Sequence, residues 1–176
     1  MCGICGFTGR LLTSEEILEN MMNKIIHRGP DSGGKHIDDG VSMGFRRLSI
    51  IDLEGGTQPI YNENRDMVIT FNGEIYNHRT LRQQLDYPFR TGSDCEVILP
   101  LYRRRGVDFL EELNGIFAFA LYDEERDEFL IARDPIGVIP LYIGYDADGT
   151  VYCASELKAL EGQCERYEPF PPGHYY

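Results

Sequence analysis

The sequence predicts an α+β fold built on mixed or mainly antiparallel sheets. Short apolar and β-branched runs typical of strands outnumber the segments with helical periodicity. Two pairs of these runs are joined by short, acidic turns and therefore predict hairpins, 116–122 with 128–133 and 141–145 with 151–154. The predicted helices lie between or beside the strands, which is the arrangement expected of an α+β domain.

The first half of the chain contains one strongly amphipathic helix. Thr13 or Ser14 is a suitable N-cap, and two glutamates follow in the first turn, where the helix dipole favours anions. Apolar residues then recur at helical spacing and predict a buried stripe, formed by Ile17, Leu18, Met21, Met22 and Ile25. Strands are predicted at 2–8, 41–51 and 67–71, with glycine-containing loops at 33–40 and 52–64.

The second half adds shorter elements. Asn72-Gly73 follows a buried strand and is a dipeptide suited to a tight turn with positive φ. Besides the two hairpins, the pattern predicts a strand at 89–91 and helices at 75–85, from Ser93 or Asp94 to about 105, at 109–113 and at 156–160. The last twelve residues, 165–176, contain three prolines and no periodicity, so we expect a domain at 1–164 followed by a linker.

Composition limits the class of protein. The chain has 176 residues, 42% of them hydrophobic and 26% charged, which fits one globular domain. A net charge of -12 disfavours nucleic acid and anionic membranes as partners, since both recruit basic surfaces. No apolar window is long enough to span a bilayer, and no signal peptide precedes the acidic residues at 15–16, so the expected location is the cytoplasm.

Five cysteines, an odd number, predict free thiols in a reducing compartment. Cys2 and Cys5 form a C-x-x-C, a spacing that also serves zinc and redox sites. A zinc site needs a second such pair or two histidines, and the other cysteines are scattered singly. In a strand, residues three apart point to opposite faces, which disfavours a redox pair. We expect no metal in this chain.

Cys2 is the first candidate for catalysis. Removal of Met1 would make Cys2 the N-terminal residue, with a thiol and a free α-amine on one residue. Such an amine ordinarily titrates at about 7.7–8.0 and can act as the base that a cysteine nucleophile needs. If Met1 is retained, the amine belongs to Met1 and that base is lost. A chance Met-Cys start is the competing interpretation.

Three further positions carry both a functional and a structural interpretation. The Asn72 amide and the Gly73 N–H could form an oxyanion hole, although Asn-Gly is more often a simple turn. One of the successive arginines Arg46 and Arg47 faces inward on a strand and could clamp a carboxylate, or it is a solvated surface residue. Asp94 is either a helix N-cap or the partner of a substrate ammonium group.

Nine ordered blocks of sequence together resemble one family. They are MCGI at the start, HRGPD at 27–31, GFRRLSI at 44–50, QP at 58–59, FNGEIYN at 71–77, TGSDCE at 91–96, LNGIFAF at 113–119, ARD at 132–134 and ASELKA at 154–159. The chain resembles class II glutamine amidotransferase domains, in particular the N-terminal glutaminase half of the B-type, glutamine-dependent asparagine synthetases. The resemblance implies the N-terminal-nucleophile hydrolase fold, with two stacked antiparallel β-sheets between α-helical layers.

The resemblance also implies roles for individual residues. Cys2 would be the nucleophile with its α-amine as the base, and Asn72 and the Gly73 N–H would form the oxyanion hole. Binding of L-glutamine would use a set of side chains and backbone positions: Arg47 for the α-carboxylate, Asp94 for the α-ammonium, and Glu74 with the backbone near Ile50 and Ile51 to line the pocket. Cys5 stands where relatives usually carry an apolar residue, and we interpret it as a small buried hydrophobe.

The family adds expectations about partners. A C-terminal synthetase domain, absent from this chain, would use ATP and Mg²⁺, whereas this chain would need no cofactor. A homodimer stays open. Three alternatives also stay open: the glutaminase of glucosamine-phosphate synthase or of amidophosphoribosyltransferase, an asparagine-synthetase-like enzyme that amidates another carboxylate, and an inactive binding module.

Overall fold

The computed structural model describes residues 1–9, 11–48 and 57–176. Its ten strands are β1 (Gly3–Thr8), β2 (Ser32–Ile37), β3 (Val41–Arg47), β4 (Ile60–Tyr61), β5 (Met67–Ile75), β6 (Gly115–Asp123), β7 (Glu128–Arg133), β8 (Tyr142–Tyr145), β9 (Val151–Ala154) and β10 (Arg166–Pro169). They form a six-stranded sheet, β10-β8-β9-β1-β3-β2, and a four-stranded sheet, β4-β5-β6-β7. All ladders between these strands are antiparallel.

The helices cover the outer faces of the two sheets. The α-helices are α1 (Ser14–Lys24), α2 (His78–Gln84) and α3 (Ile98–Arg105), and shorter 3-10 helices are found at Ile26–Arg28, Asp94–Val97, Gly106–Glu112 and Leu157–Ala159. Helix α1 packs on β1 and β3 of the six-stranded sheet, whereas α3 packs on β5 of the four-stranded sheet. The predicted fold class, two stacked antiparallel sheets between helical layers, is therefore confirmed.

Strand alternation divides the apolar residues into three cores. On β1, Ile4 faces the other sheet, whereas Cys5 and Phe7 face α1. On β5, Val68 faces the six-stranded sheet, whereas Met67 and its odd-numbered neighbours face α3. The middle core therefore lies between the sheets.

Two predictions about glycine-containing segments are wrong. The predicted loop at 33–40 contains β2, which pairs with β3. A Cβ on Gly34 would lie 1.9 Å from the backbone oxygen of Gln58, so glycine there permits a close approach rather than marking a loop. Asn72-Gly73 is not a turn, because β5 continues through both residues to Ile75, paired with β6 throughout.

Other boundaries also differ from the prediction. Since β5 extends to Ile75, the helix predicted at 75–85 begins at His78. No strand forms at 89–91, where the buried Glu96 carboxylate accepts the N–H groups of Arg90 and Thr91 and so replaces a strand partner. The helix predicted up to residue 105 begins with a 3-10 turn.

The C-terminal segment packs on the domain. Strand β10 pairs with β8, Phe170 is buried, and the Tyr176 N–H and carbonyl both bond to Ile131. The boundary at 164/165 and the role of 165–176 as a linker stay predictions. Among the described residues, no helix has the length and apolar character needed to cross a bilayer.

Candidate active site

Cys2 immediately precedes β1, an interior strand of the six-stranded sheet. Strand β1 pairs with β3 on one side, where Gly3 lies opposite Arg46, and with β9 on the other. Cys2 is half-buried and packs against the core between the two sheets. Its Sγ lies 3.9 Å from the carbonyl oxygen of Leu48. The thiol is thus at the edge of the middle core, on a backbone held from both sides.

Arg28 fixes the backbone of Cys2 directly. Its Nε donates to the Cys2 carbonyl oxygen at 2.9 Å, and its Nη1 donates to Glu156 Oε1 at 3.1 Å. The same carboxylate oxygen bonds His27 Nε2 at 2.8 Å, and Lys158 Nζ lies 3.3 Å from Oε2. Although burial raises the pKa of Glu156, hydrogen bonds from Arg28, His27 and Lys158 outweigh it and hold this pKa below its ordinary value. A charged carboxylate therefore anchors the arginine that holds Cys2.

The side-chain amide of Asn72, on β5 of the four-stranded sheet, has a hydrogen-bond donor without a partner among the described residues. Along β5, Asn72 alternates with the residues that face α3, so its side chain is on the face toward the six-stranded sheet. Asn72 is 2% exposed, and its Nδ2 is buried with no hydrogen-bond partner among the described residues. An unpaired buried donor costs about 1–3 kcal/mol. Its presence in a well-packed strand indicates a place prepared for an acceptor.

The Gly73 N–H lies on the open edge of β5. In an antiparallel ladder, successive residues turn their N–H groups alternately to the two sides. Phe117, which lies opposite Gly73 on β6, bonds through both its N–H and its carbonyl to Asp134, so the pair is not hydrogen-bonded and Gly73 faces away from β6. On this open edge the Phe71 N–H donates to Gln58 Oε1 and the Ile75 N–H donates to Asp94 Oδ2. No described residue caps the Gly73 N–H between them.

Gly73 is required at its position for two reasons. Its φ of 143° lies where other residues are strained. A Cβ there would also lie 2.1 Å from the carbonyl oxygen of Ile116. The glycine therefore serves the approach of β5 to β6, and not a hairpin turn.

The remaining predicted residues surround these groups. Arg46 bonds to Met22 and Asn23 on α1, so alternation turns Arg47, at the end of β3, to the face that Cys2 contacts. Glu74 is exposed at the end of β5, on the same face as Asn72.

Asp94 uses one carboxylate oxygen for the Ile75 N–H at 2.6 Å, and it is the first residue of its 3-10 helix rather than the N-cap, which is Ser93. No hydrogen bond from another described residue reaches its other oxygen, Oδ1, so this oxygen could also accept from an ammonium group. Ile50 and Ile51 lie outside the described residues.

Among the other thiols, Cys5, Cys95 and Cys153 are buried and Cys164 is partly buried, which keeps all four protonated at neutral pH. Burial raises the pKa of Cys5 and Cys95 far above the ordinary thiol value, that of Cys153 to about 12 and that of Cys164 to about 11. Cys5 lies in the core beneath α1, on the face of β1 opposite to the core that Cys2 contacts. The C-x-x-C spacing therefore does not bring its two sulfur atoms to one site.

Sequence reasoning missed the residues that support the site. Arg28, Gln58, Ser155 and Glu156 all lie in the nine blocks, but none of them was assigned a role. Arg28, Gln58 and Ser155 bond to backbone atoms of other segments, 13 to 151 positions away in sequence. Glu156 acts one step further away, through the side chain of Arg28. The only signal in the sequence was that these residues lie in the nine blocks, and this does not reveal which group each side chain contacts.

Comparison with known proteins identifies the class. The sequence profile of the glutamine amidotransferase domain matches residues 1–169, so the chain belongs to that family. Among solved structures, the glutamine phosphoribosylpyrophosphate amidotransferase from B. subtilis superposes with a TM-score of 0.81 at 25% identity, over 99% of this chain and 46% of that one.

The sequence relatives are more specific. The chain is 48% identical to asparagine synthetase [glutamine-hydrolyzing] 2 of Arabidopsis thaliana, over 100% of this chain and 31% of that protein. It is 52% identical to asparagine synthetase B of Escherichia coli K12, over 85% of this chain and 27% of that protein. The predicted resemblance is confirmed, and the chain spans about a third of the length of these relatives.

Proposed function

We propose that this chain hydrolyses L-glutamine to glutamate and ammonia through a Cys2 thioester. The observation that carries the proposal is the buried Asn72 Nδ2, which has no hydrogen-bond partner among the described residues and is followed directly by the Gly73 N–H on the open edge of β5. Two fixed donors beside a nucleophile suit an acyl-transfer reaction, in which negative charge develops on a carbonyl oxygen.

The reaction follows from these groups. After removal of Met1, the α-amine of Cys2 takes the thiol proton and the thiolate attacks the carboxamide carbon of glutamine. Asn72 and Gly73 donate to the resulting oxyanion. The protonated amine returns its proton to the leaving nitrogen, so that ammonia departs and a thioester remains. Water then attacks the thioester, releasing glutamate and restoring the thiol.

The substrate contacts belong to the same proposal. Arg47 would bind the α-carboxylate, the second oxygen of Asp94 would accept from the α-ammonium, and Glu74 would line the pocket. A role for the backbone near Ile50 and Ile51 stays a prediction. The chain's own chemistry requires no metal or cofactor.

The use of the ammonia is a further step of the proposal. Since the named relatives are glutamine-hydrolysing asparagine synthetases about three times as long, we assign the ammonia to ATP- and Mg²⁺-dependent amidation of aspartate in a C-terminal synthetase domain. A cytoplasmic location accompanies this assignment, and the homodimer stays open. The higher identity to these relatives disfavours the other class II amidotransferases.

Steady-state assays of glutamate and ammonia formation test the glutaminase. The wild-type protein should release both products in equal amounts, and Cys2→Ala should release neither. Asn72→Ala should lower kcat about 10²–10³-fold with a smaller change in KM, because its amide acts in the transition state. Asn64→Ala, at an exposed turn, is the matched control and should behave as wild type. Glutaminase activity retained in Cys2→Ala would refute the proposal.

A further inference from the structure

We propose that Gln58 is a positioning residue whose side chain replaces a missing strand beside β5. By holding the Phe71 peptide, it would keep the next two donors, Asn72 Nδ2 and the Gly73 N–H, in place for the oxyanion. This inference rests on the proposed function, since it concerns the same intermediate.

The register of β4 locates Gln58 beside Phe71. The two residues of β4 pair Ile60 with Ile69 and Tyr61 with Val68. Continued by two positions, the same register places Gln58 opposite Phe71. The backbone of Gln58 does not make this ladder pair. Instead, the side-chain amide makes the two hydrogen bonds that a backbone partner would make. Its Oε1 accepts from the Phe71 N–H at 2.6 Å, and its Nε2 donates to the Phe71 carbonyl oxygen at 3.0 Å.

These two bonds lie in a buried setting. Gln58 is 8% exposed, and both bonds are shielded from water. A buried peptide group that loses its partner pays the full cost of desolvation, about 1–3 kcal/mol. The Gln58 amide therefore determines whether the Phe71 peptide stays in its strand orientation.

Gln58 also connects the two sheets. Its side chain bonds to β5, whereas its backbone oxygen lies against β2, where a Cβ on Gly34 would come within 1.9 Å. Strand β2 pairs with β3, which in turn pairs with β1, the strand that begins directly after Cys2. One residue thus fixes the donor strand relative to the sheet that carries the nucleophile.

Gln58 and Asp94 hold the donor strand from both sides of Gly73. Asp94 accepts from the Ile75 N–H, two residues beyond Gly73, and Gln58 accepts from the Phe71 N–H, two residues before it. With both neighbours satisfied by side chains, the edge of β5 presents the Gly73 N–H to a ligand. Side chains thus fix the N–H groups on both sides of Gly73 and leave the Gly73 N–H between them available. This is the arrangement expected of a preorganised hydrogen-bond donor.

A carboxylate at position 58 provides the test. Glutamate has the shape of glutamine, but its ionised form has no donor and places negative charge against the Phe71 carbonyl oxygen. Protonation restores one donor, and burial raises the pKa of a carboxylic acid placed there. The activity of Gln58→Glu relative to wild type should therefore rise as the pH falls.

The experiment compares kcat and KM for glutamine in the wild type, Gln58→Glu and the control Gln83→Glu, which makes the same change on the exposed face of α2. We expect kcat of Gln58→Glu at neutral pH to fall at least about tenfold, with KM changed less than about threefold, since small displacements of a catalytic group cost this much or more. Gln83→Glu should match wild type. Gln58→Met, which removes both bonds without adding charge, should show the loss of kcat without recovery at low pH.

Amide hydrogen exchange in the wild-type protein gives an independent readout. The Phe71 N–H should be protected like the core of β5, whereas the Gly73 N–H should exchange much faster. A folded Gln58→Glu with wild-type kcat, or equally fast exchange at Phe71 and Gly73 in the wild type, would overturn the inference. If wild type and Gln83→Glu lack glutaminase activity, the proposed function fails first and the inference fails with it.

Discussion

Ser155 and Ile4 exchange two hydrogen bonds across 151 positions of sequence. The Ile4 N–H donates to Ser155 Oγ at 2.9 Å, and the Ser155 N–H donates to the Ile4 carbonyl oxygen at 2.9 Å. Ser155 follows β9 and is fully buried. The position of the N-terminal segment, and hence of Cys2, therefore depends on a residue near the other end of the chain.

Ser155→Ala should destabilise the fold. The substitution leaves the buried Ile4 N–H without its partner, at a cost of about 1–3 kcal/mol. Urea denaturation should show a lower midpoint with an unchanged slope. Ser32→Ala, at an exposed position of β2, is the matched control. A midpoint for Ser155→Ala equal to that of the control would show that the hydroxyl contributes nothing to the stability of the fold.

Gly73→Ala should be far more costly than alanine at another glycine with positive φ. At Gly73 the new Cβ meets backbone of β6, whereas at Gly149, with φ of 85°, nothing lies within 4 Å. Gly149→Ala should thus lose about 1–3 kcal/mol from backbone strain alone. Gly73→Ala adds a clash with a neighbouring strand.

Urea midpoints of the two glycine variants check this difference. Equal losses of stability would mean that β5 can move away from β6 at Gly73. The donor strand would then be less fixed than its hydrogen bonds indicate.

Glu156→Gln should change the pH dependence of stability. The pKa of Glu156 is lowered in the fold, so its contribution is present above the ordinary value of about 4.3 and is lost as the pH falls through the lowered value. At neutral pH the free energy of unfolding of the wild type should exceed that of Glu156→Gln by about 1 kcal/mol, the magnitude typical of a partly exposed ion pair. The difference should vanish in acid.

Melting temperatures measured from pH 7 to pH 3 test this dependence. Glu165→Gln, at an exposed position, serves as the control. A stability difference that stays constant over this range would contradict the assigned role of the charged Glu156 carboxylate.

Alkylation by iodoacetamide at pH 7.5 should modify Cys2 alone in the folded protein. The other four thiols are kept protonated by burial, including that of Cys164, whose pKa is about 11. Peptide mass spectrometry should find Cys164 as the second site when the pH approaches that value. In urea, all five cysteines of the sequence should react. Modification of a buried thiol at a rate similar to Cys2 would contradict this packing.

Elements with strong local patterns could be predicted from the sequence. The predicted strands 116–122 and 128–133 lie within one residue of β6 and β7, because alternating apolar residues and an acidic turn leave few other arrangements. Strand β2 was not predictable, since its glycines indicate a loop by every local rule. They are needed because Gly34 lies directly against Gln58.

For the candidate site, too, the sequence could suggest some residues and not others. Cys2, Asn72 and Gly73 could be chosen as candidates from residue type, position and the nine sequence blocks, and their roles stay predictions. The interpretation of Asn72-Gly73 as a turn was favoured locally and was wrong, because pairing with β6 outweighs the turn preference. The roles of Gln58 and Glu156 could not be predicted, since each depends on a contact with a segment distant in sequence, the Phe71 backbone for Gln58 and the Arg28 side chain for Glu156.

The most direct test of the central claim is the intact mass of the purified protein before and after treatment with a glutamine-like diazoketone. The proposal predicts a chain without Met1 that gains one adduct, and no adduct in Cys2→Ala. This result would establish an N-terminal cysteine that acts as the nucleophile on a glutamine-like carbonyl. A chain without Met1 that gains no adduct, or an adduct that persists in Cys2→Ala, would contradict it.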